Sequence, residues 1–122
     1  MGQKVILIVE DNIKNLRLVN DIMESQGHQT LQASSGYEGI ELARRNKPDL
    51  IIMDIQMPDI DGIQVTRILK HEQETSTIPI IALTAMAMKG DRETIINAGC
   101  DAYLQKPIRF DALIDTVKQW LK

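Results

Sequence analysis

Five side chains of this 122-residue sequence could do chemistry together: Glu10, Asp11, Asp54, Thr84 and Lys106. Each stands where a short, mostly apolar run stops. Val5-Ile6-Leu7-Ile8-Val9 runs into Glu10-Asp11, and Leu50-Ile51-Ile52-Met53 into Asp54. Pro79-Ile80-Ile81-Ala82-Leu83 runs into Thr84, and Asp101-Ala102-Tyr103-Leu104-Gln105 into Lys106-Pro107. Continuous β-branched runs of this length read as strands buried on both faces, as in a parallel sheet. Open α/β sheets keep their ligands at the strand carboxyl ends. Three carboxylates gathered there repel one another unless a cation or a proton relieves them. Oxygen donors suit a hard ion, and Mg²⁺ keeps several waters and shares ligands with phosphate.

Asp11 and Asp54 read as direct ligands and Glu10 as a ligand through water. The backbone carbonyl of Gln56, in the loop just past the strand, completes the set, with Mn²⁺ as an alternative ion. No glycine-rich phosphate loop follows the first strand, which argues against a nucleotide or flavin site. A phosphate would approach these acids only with a metal, while Lys106 and Thr84 hold two of its other oxygens. The reaction so permitted is phosphoryl transfer to a carboxylate, forming an aspartyl phosphate at Asp54. Seen singly, Asp54 would be a turn cap, Thr84 a helix cap and Lys106 a solvated lysine. Their joint placement at strand ends favours the chemical reading.

The elements between these residues must position them. Asn12 is a helix N-cap. After it Leu16, Val19 and Met23 recur at helical spacing, flanked by Ile13 and Ile22, and Gly27 supplies the stop. Leu18 falls opposite that stripe and is a candidate docking residue. Residues 28–33 form a poorer strand near a sheet edge. Ser35 and Glu38 fit a capping box opening a helix to about Asn46 on Ile40, Leu42 and Ala43, and Pro48 bars its continuation. Asp61-Gly62 opens a third helix with Val65, Ile68 and Leu69 apolar, and Asp59 and Asp61 read as loop and cap residues. A fourth helix follows Met86 and Met88, which read equally as core fillers or partner surface, and ends at Ala98-Gly99. The last helix carries Phe110, Leu113, Ile114, Val117 and Leu121 on one face, with Trp120 a packing residue.

Strand and helix thus alternate five times. Right-handed crossovers then give a doubly wound five-stranded parallel sheet with helices on both faces. The whole of residues 1–122 reads as one α/β domain. Aromatic residues make up 3% of the chain, so aliphatic side chains must fill the core. A net charge of −3 favours neither nucleic acid nor an anionic membrane. No apolar run reaches membrane-spanning length and no signal peptide is visible. The single cysteine, Cys100, excludes an internal disulfide, and a cytoplasmic location is expected. His28 and His71 lack metal-ligand spacing and read as surface or edge residues.

In combination these residues resemble a response-regulator receiver domain, the phosphoacceptor of two-component signalling in the CheY-like superfamily. The resemblance spans Lys4 to Leu121. It rests on Glu10-Asp11-Asn12, Met53-Asp54-Ile55-Gln56-Met57-Pro58 with Asp61-Gly62, Leu83-Thr84-Ala85, and Lys106-Pro107. The stretch from Ala85 to Asp91, with Ala98-Gly99-Cys100, is similar to single-domain regulators of the DivK type and to receivers of hybrid kinases. The resemblance implies a flavodoxin-like sheet of order 2-1-3-4-5. It implies that Asp54 takes a phosphoryl group from a phosphohistidine on a histidine kinase or histidine phosphotransfer protein. It makes Thr84 a switch hydroxyl, Tyr103 a switch aromatic, Lys106 a phosphate-pairing lysine, and Lys106-Pro107 a cis bond. Phosphorylation would then reshape the surface of the fourth helix, fifth strand and fifth helix, where a downstream protein target binds.

Three other readings stand beside it. One is a receiver cut from a hybrid kinase or a transcription factor. If Met1 and Lys122 are the native ends, output is by protein contact rather than through a further domain. The second is an interaction module independent of phosphorylation, which would not need the acid, threonine and lysine set. The third is an aspartyl-nucleophile phosphohydrolase. That chemistry commonly wants an acid where this chain has Gln56, so only slow self-dephosphorylation is expected.

Overall fold

The computed structural model describes residues 4–85 and 89–121. Five strands alternate with five helices: β1 (Val5–Val9), α1 (Ile13–Ser25), β2 (Gln29–Ala33), α2 (Gly36–Asn46), β3 (Leu50–Asp54), α3 (Gly62–His71), β4 (Ile80–Thr84), α4 (Lys89–Ala98), β5 (Ala102–Gln105) and α5 (Phe110–Trp120). All strand pairs are parallel, in the order β2-β1-β3-β4-β5. This is the expected doubly wound sheet, with β2 at an edge. Lys106-Pro107 is cis.

Successive residues of a strand face opposite sides of the sheet, and the apolar runs fill both. Leu7, Val9, Ile51, Met53, Ile80 and Ala82 meet Ile40 and Ala43 of α2, Val65 and Leu69 of α3 and Ile95 of α4. Ile6, Ile8, Leu50, Ile52, Ile81 and Leu83 meet Leu16, Val19, Ile22 and Met23 of α1 and Leu113 and Val117 of α5. Burial on both faces explains why β1, β3 and β4 carry no polar alternation.

The helix starts follow local chemistry. The Asn12 Oδ1 accepts from the amides of Lys14 (3.0 Å) and Asn15 (3.1 Å). The Asp61 carboxylate accepts from the Gln64 amide at 2.9 Å. The Ser35 hydroxyl accepts from the Glu38 amide at 3.2 Å. The return arm of that capping box differs from expectation: the Glu38 carboxylate takes the amide of Ser34, at 2.7 Å, rather than that of Ser35.

Three apolar assignments need correction. Ile13 is 68% exposed and Phe110 57% exposed. Each is the first residue of its helix, where the first turn stands clear of the apolar layer. Leu18 is half-buried rather than exposed, packed against the same core as α1 and α5. A helical stripe of one periodicity accounts for one buried face, whereas α1 packs on the sheet and also beside α5. Trp120 packs against that core, as expected of it.

Candidate functional site

The sheet brings the expected residues to one edge. Asp54 is the last residue of β3 and Thr84 the last of β4, while Glu10 follows β1 and Lys106 follows β5. Backbone hydrogen bonds fix these ends in place. The Glu10 amide donates to the Ala33 carbonyl (3.0 Å) and the Lys106 amide to the Thr84 carbonyl (2.8 Å). The loop after β3 is drawn tight: the Gly62 amide donates to the Ile55 carbonyl at 2.8 Å. A methyl group on Gly62 would lie 2.4 Å from the Asp54 carbonyl oxygen, so only glycine lets α3 begin this close to β3.

Asp54 and Glu10 are 1% and 0% exposed, while Asp11 faces solvent. Carboxylate oxygens of all three lie within 4.8 Å of one another. The Lys106 ammonium donates to Asp54 Oδ1 at 3.0 Å and stands 3.4 Å from Glu10 Oε1. The Gln56 amide also donates to Asp54 Oδ1, at 3.3 Å. The Asn12 amide donates to Glu10 Oε2 at 3.2 Å. One lysine therefore faces two buried carboxylates.

The charges respond accordingly. Burial raises the Glu10 carboxyl from 4.5 to about 7, helped by the neighbouring Asp54 carboxylate and opposed by the Asn12 amide and Lys106. Burial works against the charge on Lys106, but Asp54 and Glu10 outweigh it and the ammonium is stabilised. The buried Glu10 Oε1 has no hydrogen-bond partner among the described residues, although Lys106 is near. A buried oxygen so placed, beside two further carboxylates, fits a hard divalent cation with its water shell. The donor set suits Mg²⁺.

Thr84 and Tyr103 lie on the neighbouring strands β4 and β5. Thr84 is fully buried. Tyr103 is half-buried on β5 against the core beneath α2, α3 and α4, and the Arg92 guanidinium lies over its ring, 5.2 Å from the centroid. Leu18 lines a depression with Asn15, Lys106, Pro107 and Ile108, next to the acidic edge. Met86 and Met88 lie outside the described residues. Asp61 caps α3 as expected.

Two contributors escaped the sequence reading. The Asn12 amide holds Glu10, in addition to the helix cap made by its side chain. Asp59, read as a loop residue, accepts from the amides of Gly36 and Tyr37 at the start of α2. The Asn12 bond had a signal in its adjacency to Glu10. The Asp59 bonds had none, since their partners lie on a distant segment.

Comparison with known proteins agrees with this geometry. Residues 6–118 match the response regulator receiver domain family. The chain belongs to that family. As a receiver domain it is a signalling domain of two-component phosphorelay systems. It is 48% identical over 118 residues to the polar-differentiation response regulator DivK of Brucella ovis, covering 97% of this chain and 96% of that one. Among solved structures it is similar to the receiver domain of a sensor histidine kinase from Pseudomonas aeruginosa, which has a magnesium ion coordinated in its active-site cleft. That similarity has a TM-score of 0.90 at 34% identity, covering 98% of each chain. The Vibrio cholerae chemotaxis protein CheY4 shares the fold with a TM-score of 0.93 at 23% identity, over 98% of this chain and 100% of that one. Among the described residues no helix of this receiver is long and apolar enough to cross a membrane.

Proposed function

We propose that Asp54 is the phosphoacceptor of this receiver and that its phosphorylation switches a surface read by protein partners. The observation that carries the reading is the buried Asp54 carboxylate, paired with Lys106 at 3.0 Å and set within 4.8 Å of Glu10 and Asp11 oxygens. Asp11 and Asp54 would hold Mg²⁺ directly, Glu10 through water, and the Gln56 backbone carbonyl would add a further oxygen. Bound there, Mg²⁺ would neutralise the carboxylates and phosphoryl oxygens so that the two can approach.

The chain's own groups do the rest. A carboxylate oxygen of Asp54 attacks the phosphorus of a phosphohistidine. The P–N bond breaks, and its electron pair stays on the imidazole nitrogen, which takes up a proton. Lys106 exchanges its carboxylate partner for a phosphoryl oxygen, matching the charge that arrives. Thr84, the last residue of the neighbouring strand β4, would donate its hydroxyl to another. If Thr84 moves toward the phosphoryl group, Tyr103 follows inward and the surface around α4, β5 and α5 changes. On this reading the protein assists its own phosphorylation and slow dephosphorylation and has no other substrate.

We place its donor among histidine kinases or histidine phosphotransfer proteins, its target among proteins, and its setting in the cytoplasm. We take residues 1–122 as one receiver unit. The intact set of acids, threonine and lysine speaks against a module that ignores phosphorylation. The test is transfer from a phosphohistidine protein, followed as loss of label from the donor. Transfer that requires Mg²⁺ and stops in a chelator is expected. Transfer that proceeds equally in the chelator would contradict the reading.

A further inference from the structure

The loop between β3 and α3 is anchored at its tip as well as at its ends. Its ends close through the Gly62 amide and the Ile55 carbonyl, at 2.8 Å. Ile55 and Met57 are buried and Ile60 is half-buried, but Gln56, Pro58 and Asp59 are exposed and gain little from packing. The contact of this exposed tip with α2 runs through Asp59. Its Oδ1 accepts from the Gly36 amide at 3.1 Å and its Oδ2 from the Tyr37 amide at 3.0 Å. These two donors open α2, and the Ser35 and Glu38 side chains, which take the amides of Glu38 and Ser34, leave them free for Asp59. The segments are also in close contact, since a methyl group on Gly36 would lie 2.4 Å from Ile60 Cγ2 and 2.8 Å from the Ile60 carbonyl oxygen.

We propose that Asp59 is a positioning residue for the acidic site: by binding both opening amides of α2 it holds the loop that presents Gln56 to Asp54. The inference rests on the reading of Asp54 as phosphoacceptor and Gln56 as a contributor to the Mg²⁺ site. The connection runs along the loop, whose Gln56 amide donates to Asp54 Oδ1 at 3.3 Å. A bidentate carboxylate sets both the position and the direction of the tip, which a single hydrogen bond does not. Asp59 would touch neither metal nor phosphoryl group, so its effect is carried wholly by backbone geometry.

A plain helix cap would behave differently. Removing a cap weakens α2, whereas removing a positioning residue also loosens Gln56. The experiment compares the native chain with Asp59→Ala, Asp59→Asn and Ser35→Ala. Ser35→Ala removes a local cap of the same helix and leaves the loop untouched. Two quantities are read: exchange of the Gln56 amide in metal-free protein, and Mg²⁺ affinity by NMR titration. Asp59→Ala should speed Gln56 exchange and weaken Mg²⁺ binding about tenfold, the usual scale for losing an outer-shell partner. Asp59→Asn should fall between, and Ser35→Ala should change neither while lowering the urea midpoint. If Asp59→Ala lowers only the urea midpoint, Asp59 is a cap and the proposal is overturned. If the native chain itself fails to bind Mg²⁺, the reading of the site is wrong, and Gln56 exchange still decides whether Asp59 holds the loop.

Discussion

The metal-free receiver should lose stability as pH rises through neutrality, and Glu10 is the reason. Its carboxyl is fully buried, and burial beside Asp54 raises it from 4.5 to about 7. Between those two values the native state holds a proton that the unfolded chain has released. Stability from this source is therefore fully present below pH 4.5 and is lost as pH rises through about 7. At 1.36 kcal/mol per pH unit the loss is about 3 kcal/mol. That is a large share of a small domain's ~5–15 kcal/mol. The assay is urea unfolding in a chelator from about pH 5 to about pH 8. Glu10→Gln keeps the shape and hydrogen-bonding capacity but cannot ionise. It should flatten this contribution and be the more stable protein at the alkaline end. The variant retains His28 and His71, so the difference between the two proteins isolates position 10. Mg²⁺ held at this cluster would compete with the same proton, so its affinity should rise with pH and its stabilising effect should be greatest where the metal-free protein is weakest. Stability that is level or rising over this range, or an equal slope in Glu10→Gln, would refute the argument.

Two further substitutions probe separate parts of the account. Gly62→Ala forces a methyl to within 2.4 Å of the Asp54 carbonyl oxygen and 2.8 Å of Ile55 Cα. It should cost about 1–3 kcal/mol in urea unfolding, and a loss below about 0.5 kcal/mol would show that the β3–α3 junction yields easily. Lys106→Met keeps the aliphatic stem but removes the ammonium 3.0 Å from Asp54. Phosphoryl transfer to the protein should slow about 100-fold, measured as the rate of label gain from a phosphohistidine donor, and a rate within about twofold of native would remove Lys106 from the mechanism.

The sequence was most legible where one element decides the outcome alone. β1, β3 and β4 are buried on both faces, so their apolar runs were unambiguous, and each runs into a polar residue at or just past its carboxyl end. Asn12 and Asp61 cap helices through amides two or three residues away, within reach of any local reading. Legibility failed where a second element intervenes. Ile13 and Phe110 obey the helical stripe but lie in first turns that stand clear of the apolar layer. Leu18 violates the stripe yet is half-buried near α5. Asp59 looked like a loop acid because its partners, Gly36 and Tyr37, meet it only once α2 and the β3–α3 loop have packed together. The same holds for the Lys70–Asp101 pair, 3.0 Å apart, which joins α3 to the turn before β5. For the candidate site, the sequence indicated which side chains converge. The burial of Glu10 Oε1, which among the described residues has Lys106 near but no hydrogen bond, depended on the packing around it.

The most direct test of the central claim is the intact mass of the protein after incubation with Mg²⁺ and a small-molecule phosphodonor, run beside Asp54→Asn. The account predicts a gain of one phosphoryl group by the native chain, abolished by a chelator and absent in the variant. An equal gain by Asp54→Asn, or none by the native chain with a phosphohistidine protein as well as small donors, would contradict it.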